Sequence, residues 1–96
     1  MYVNQVDEFL DLNDAMVLDI RDRQSFDAGH LRGAVHADEE CMGWLIRKRK
    51  TNPPILVYCY HGNTSRDFDS LVHNLGYNQV FHLEGGWKAW NEFAAA

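Results

Sequence analysis

The chain has 96 residues, 46% hydrophobic and 24% charged, with 9 Lys and Arg against 14 Asp and Glu for a formal net charge of -5. The length predicts one domain, 1-96, able to bury a core without disulfide staples, and the composition is that of an ordinary globular protein without repeats or low-complexity tracts. The acidic balance argues against nucleic acid as a partner, and no apolar run approaches the roughly 18 residues of a membrane span.

The N-terminus, Met1-Tyr2-Val3-Asn4-Gln5, has neither the basic start nor the apolar stretch of a secretory signal, so a cytoplasmic location is expected. Tyr2-Val3-Asn4 reads as a weak first strand, and Val6, Phe9, Leu10 and Leu12 fall at helical spacing up to Asn13. Met16-Val17-Leu18-Asp19-Ile20 is a compact β-rich run suited to a buried strand. Arg23 to Ala28 makes a brief helix closed by Gly29. Ala34-Val35-His36 predicts another short strand, after which Asp38 caps a helix running to about Lys50. The basic run Arg47-Lys48-Arg49-Lys50 then falls at that helix's C-terminus, where cations complement the dipole, in preference to serving as a docking patch.

Thr51-Asn52-Pro53-Pro54 is the clearest loop, since two prolines interrupt either kind of element. It leads into a strand ending at Cys59, a helix from about Thr64 to Leu75 and a turn at Gly76-Tyr77-Asn78. Gln79-Val80-Phe81-His82-Leu83 alternates as a last strand. After Gly85-Gly86, the residues Trp87, Trp90 and Phe93 share a helical face able to close the core. Strands alternating with helices imply an α/β fold: a mostly parallel central sheet of about five strands, covered by helices on both faces. In such sheets a ligand site lies beyond the C-terminal strand ends.

Cys59 stands at such an end. The apolar run Ile55-Leu56-Val57-Tyr58 stops there, and the polar loop Tyr60-His61-Gly62-Asn63-Thr64-Ser65-Arg66 leads into a helical pattern. A glycine that permits a tight turn and a helix start at Thr64 or Ser65 predict a cradle of backbone N–H groups around one thiol. Those donors should stabilise a thiolate and depress its pKa. An inert buried cysteine ending a strand is the alternative, but it gives no reason for the polar, glycine-bearing loop. The other cysteine, Cys41, makes no metal-ligand pair with Cys59, because structural zinc sites use closely spaced ligand pairs. A disulfide is disfavoured by the reducing compartment expected here.

Three segments in order resemble the rhodanese family of sulfurtransferases. They are Asp19-Ile20-Arg21-Asp22 with Phe26 and Gly29-His30-Leu31-Arg32-Gly33-Ala34, then Cys59-Tyr60-His61-Gly62-Asn63-Thr64-Ser65, then Glu84-Gly85-Gly86-Trp87-Lys88-Ala89-Trp90. The loop wording is closest to short bacterial single-domain thiosulfate sulfurtransferases of the GlpE type. The resemblance implies a three-layer rhodanese-like fold and a Cys59 persulfide, charged by thiosulfate and discharged to cyanide, a small thiol or a protein thiol such as that of thioredoxin. It implies no cofactor and no metal, and it makes Tyr60, His61, Gly62, Asn63, Thr64 and Ser65 the substrate-binding loop.

Within that loop several roles stay open. Thr64 or Ser65 either donates a hydroxyl to the sulfur or caps the next helix, with capping the better reading for Ser65. His61 either attracts an anion or is simply exposed, and Arg66 either adds potential at the mouth or is a solvated helix residue. Asp19 and Arg21 fit a structural ion pair at least as well as a catalytic one, His30 fits a hydrogen-bonded turn, and Trp87 and Trp90 fit the core. Many relatives carry arginine where this loop has Thr64, so weak thiosulfate affinity is expected, and Arg32 replaces a common turn proline. The rival chemistries are a sulfur carrier or partner-docking module and, further off, a phosphatase or arsenate reductase. The last needs a loop one residue longer closing on arginine, and its seventh position here is Ser65, with Arg66 one place too late.

Overall fold

A computed structural model describes residues 1–95. Four parallel strands, β1 (Met16–Asp19), β2 (Val35–His36), β3 (Ile55–Tyr58) and β4 (Val80–His82), form one sheet in the order β2-β1-β3-β4. Five helices accompany them: α1 (Val6–Leu10), α2 (Arg23–Ala28), α3 (Glu39–Arg47), α4 (Asn63–Asn74) and α5 (Gly86–Ala95). Successive strand side chains point to opposite faces, which sorts the apolar residues into two cores. Val17, Leu56 and Tyr58 meet Val6 and Phe9 of α1, with Trp87 and Trp90 of α5 packed alongside. On the other face Leu18, Ile55 and Val57 meet Cys41 and Leu45 of α3 and Val72 of α4. The sandwich of helices around a parallel sheet is therefore as expected.

The strand count is four rather than about five. Tyr2-Val3-Asn4 is not a strand: Val3–Gln5 form a 3₁₀ turn running directly into α1, and the Gln5 side chain accepts the Tyr2 N–H at 2.8 Å. That local bond satisfies a backbone group a sheet edge would otherwise have had to pair. α3 also stops earlier than Lys50, at Arg47, and Arg49–Thr51 make a separate 3₁₀ turn. The break is forced from downstream, because Asn52 adopts a left-handed conformation ahead of Pro53-Pro54. Asp38 does cap α3, accepting the Cys41 N–H at 2.9 Å. On α5, Trp87 and Trp90 are half-buried while Phe93 is 41% exposed, so the apolar face closes the core over its first two turns only. Tyr77, within the predicted turn, is fully buried and donates its hydroxyl to the Leu45 carbonyl at 2.7 Å.

β1 is followed by a crossover to β2 on one side, whereas β3 lies on its other side and continues to β4. Connections thus part at the C-terminal ends of β1 and β3, leaving a crevice between them. The register pairs Asp19 with Tyr58, so both strands end level there.

Candidate active site

Tyr58 is the last residue of β3, and Cys59 follows it, 6% exposed. The chain then turns through Gly62, whose φ of 99° favours glycine, and α4 begins at Asn63, one residue before the sequence-based start. A helix N-cap normally offers a side-chain oxygen to the N–H of the second or third helical residue. Gly62 has no such group. Cys59 Sγ takes that part: it accepts the N–H of Ser65, the third residue of α4, at 3.3 Å, and that of Gly62 at 3.0 Å. Ser65 is accordingly not the cap. It is fully buried, and its hydroxyl donates to the Gly62 carbonyl at 3.2 Å, bracing the turn.

Burial by itself raises the Cys59 thiol, but the surrounding donors of Ser65, Gly62 and Thr64, held in place by the braced turn, outweigh it and leave the pKa below its ordinary value. Cys41 has no such donors, and burial with the nearby Asp38 charge pushes it up. The two thiols are thus shifted in opposite directions.

A second set of bonds holds the loop from behind. Trp87 N–H donates to the Cys59 carbonyl at 2.8 Å and Lys88 N–H to the Tyr60 carbonyl at 3.0 Å. The first turn of α5 thereby turns both carbonyls away from the sulfur and leaves N–H groups facing it. This approach requires Gly86, since a Cβ there would lie 2.5 Å from the Cys59 oxygen and 2.6 Å from that of Tyr60. The Gly-Gly-Trp segment carried a resemblance in the sequence, but its contact with the cysteine loop spans 28 positions and has no local signal.

Asp19 and Arg21 form a buried ion pair at 2.7 Å, with Arg21 Nε also on both carboxylate oxygens. Tyr58 donates its hydroxyl to Asp19 Oδ2 at 2.6 Å and accepts the Leu31 N–H at 3.1 Å. Burial raises the Tyr58 pKa, keeping the phenol protonated as a donor. Burial alone would lower the Arg21 pKa, but Asp19 more than compensates, and its guanidinium lies 4.5 Å from the Trp87 ring. The pair is thus part of a knot joining the ends of β1 and β3 to α5, as the structural reading anticipated.

A cavity of about 300 Å³ opens beside the sulfur. Cys59, Tyr60 and Thr64 line it from the β3 side, and Ile20, Arg21, Asp22 and Ser25 from the β1 side. Of the predicted loop residues, His61 and Asn63 are exposed and do not line it, and Gly62 and Ser65 act through the turn and the sulfur. The Tyr60 and His61 rings meet edge to face at 4.6 Å. Arg66 is exposed and makes no ion pair among the described residues. Asp22 and Ser25 were missed as lining residues, because their place depends on β1 and β3 being neighbours. His30 is the expected turn residue, with Nδ1 on the Phe26 carbonyl at 2.7 Å. A larger cavity of about 380 Å³ lies beside Cys41 and Trp44, away from these donors, and offers no activated group. Among the described residues no cluster of His, Cys, Asp and Glu could hold a metal ion, and no helix is long and apolar enough to cross a membrane.

Comparison with known proteins bears on the family and the fold. The family model described as "Rhodanese-like domain" matches residues 3–93. A "Thiosulfate sulfurtransferase GlpE" from Pseudomonas entomophila is 40% identical over 76 residues, covering 79% of this chain and 70% of that protein. One of the same description from Pseudomonas putida is 41% identical, covering 79% of this chain and 69% of its own. Among solved structures, a rhodanese-related protein from Thermoplasma volcanium superposes with a TM-score of 0.78 at 24% identity, covering 97% of this chain and 90% of its own, which supports the fold.

Proposed function

The chain belongs to the rhodanese-like family, and on that premise we propose that it is a thiosulfate sulfurtransferase acting as one domain through a persulfide on Cys59. The observation that carries this reading is the sulfur itself, which caps α4 through two backbone N–H groups and is thereby biased toward thiolate. Thiosulfate as donor comes from relatives about 40% identical over most of the chain.

The thiolate attacks the outer sulfur of thiosulfate. The sulfur–sulfur bond of the donor breaks, sulfite leaves with the electron pair, and a new Sγ–S bond gives the persulfide. Its terminal sulfur carries the negative charge, and the N–H groups of Gly62 and Ser65, which already bond the sulfur of Cys59, would help to hold it. Cyanide would take that sulfur as thiocyanate, returning the thiolate; a thiol, such as that of a small molecule or of thioredoxin, would take it as its own persulfide. This is covalent catalysis in two half-reactions. In this reading Tyr60 and Thr64 shape the cavity, Gly62, Asn63 and Ser65 set the cradle, and His61 stands at the mouth. The setting is the cytoplasm, without cofactor, membrane or nucleic acid.

Intact mass after incubation with thiosulfate tests the proposal. Gain of one sulfur atom, lost on adding cyanide and absent in Cys59→Ser, is expected. No mass gain in the native protein would sink it.

A further inference from the structure

We propose that Asp22 makes the Cys59 cavity selective by charge, favouring sulfur donors with one negative charge over thiosulfate with its two. The inference rests on the persulfide reading above and specifies its donor.

The charges around the cavity are few. Arg21 is its one lining cation among the described residues. Its guanidinium is bound by Asp19 through Nε and Nη2 and also donates to the Gly29 carbonyl, so the pair presents little net charge. Asp22 is a lone anion on the same wall. Its Oδ2 accepts the Ser25 N–H at 3.0 Å and its Oδ1 the Ser25 hydroxyl at 2.7 Å, bonds that favour the ionised carboxylate. Ile20, Ser25 and Thr64 carry no charge. Of the other cations, Arg23 pairs with Asp27, Arg32 with Asp11 and Lys88 with Glu92, Arg47 to Lys50 sit ahead of the N-terminal end of β3, and Arg66, exposed and without an ion pair among the described residues, does not line the cavity. A donor in the cavity thus meets a second negative charge, the exposed Asp22 carboxylate, with no unpaired cation in the lining to offset it. Coulomb repulsion scales with the donor's charge, so a dianion is penalised twice as heavily as a monoanion.

Methanethiosulfonate isolates that variable. It carries one charge and the same outer sulfur; attack by the thiolate forms the Sγ–S bond, breaks the donor's sulfur–sulfur bond and releases methanesulfinate with the electron pair. Initial rates of persulfide formation would be measured with both donors on the native protein, Asp22→Asn and Asp22→Glu. Asparagine still caps α2, so the variant should fold, and glutamate restores the charge. In Asp22→Asn the KM for thiosulfate should fall about five-fold and that for methanethiosulfonate by about the square root of that factor, with both shifts shrinking as salt rises. Asp22→Glu should keep the native preference. An unchanged thiosulfate KM in Asp22→Asn, or equal shifts for the two donors, would overturn the proposal. Failure of both donors to load the native Cys59 would instead remove the persulfide reading, and this inference with it.

Discussion

The backbone N–H of Trp87 donates to the carbonyl oxygen of Cys59 at 2.8 Å, so the first turn of α5 holds the residue that carries the thiol. The cradle is consequently set by two helix starts, α4 in front of the sulfur and α5 behind the loop.

Gly86→Ala should therefore damage the site from outside it. The residue has φ 62°, and the added methyl would lie within 2.6 Å of two loop carbonyls. Backbone strain alone is worth on the order of 2 kcal/mol. A lowered melting temperature together with slowed persulfide loading is expected; native loading would show that α5 does not set the loop.

Cys59→Ser should abolish sulfur transfer and keep the fold, since a hydroxyl still accepts from Gly62 and Ser65 but forms no persulfide. Cys41→Ser should retain transfer and lose about 1–2 kcal/mol of stability by placing a hydroxyl among Leu18, Leu45 and Val57. Loading assays and denaturant melts on both variants check this. Transfer lost in Cys41→Ser and kept in Cys59→Ser would reverse the assignment.

Alkylation of Cys59 should show a midpoint below the free-thiol value of about 8.5, and Ser65→Ala should move it upward, because the hydroxyl braces the turn that holds the N–H groups of Gly62 and Ser65 on the sulfur. The two cysteines also oppose each other in stability. For Cys59, folded below unfolded, stability grows as pH rises through the folded pKa and is fully present above the unfolded one. For Cys41, folded above unfolded, stability falls as pH rises through the unfolded pKa. Cys41→Ser should thus expose a rise in stability toward alkaline pH in this range; a flat profile in that variant would contradict the depressed Cys59 thiol.

Arg21→Met should cost about 3–5 kcal/mol, because it leaves the fully buried Asp19 carboxylate without its cation. Adding Asp19→Asn should recover part of that loss, as Tyr58 can still donate to the amide oxygen. Denaturant titrations of the single and double variants measure the coupling, and strictly additive losses would argue against the knot.

An aryl phosphate should not be hydrolysed by the native protein. At the seventh position from Cys59, where a phosphate clamp needs arginine, stands the fully buried Ser65, and Arg66 points outward into solvent. Phosphate release that disappears in Cys59→Ser would restore the rival chemistry.

Much of this was already fixed in the chain, because the signals are local. The run Ile55–Tyr58 is a strand by its unbroken apolar, β-branched content, Asp38 caps a helix through its own side chain, and Gly62 after a cysteine announces a tight turn into α4. Hydrophobic periodicity likewise gave the alternation of strands and helices, with its one lost strand at Tyr2–Asn4 explained by a competing local bond to Gln5. What the tertiary structure alone decided depends on contacts between segments far apart. The parallel pairing of β1 with β3 brings Asp22 and Ser25 to the wall of the Cys59 cavity, and links Tyr58 to Asp19 across 39 positions. Packing of α5 on the loop selects which backbone groups face the sulfur. Residue types and spacing set which local bonds are available, whereas the order of strands in the sheet sets which of those groups share a cavity, and that order is a property of the packed cores as a whole.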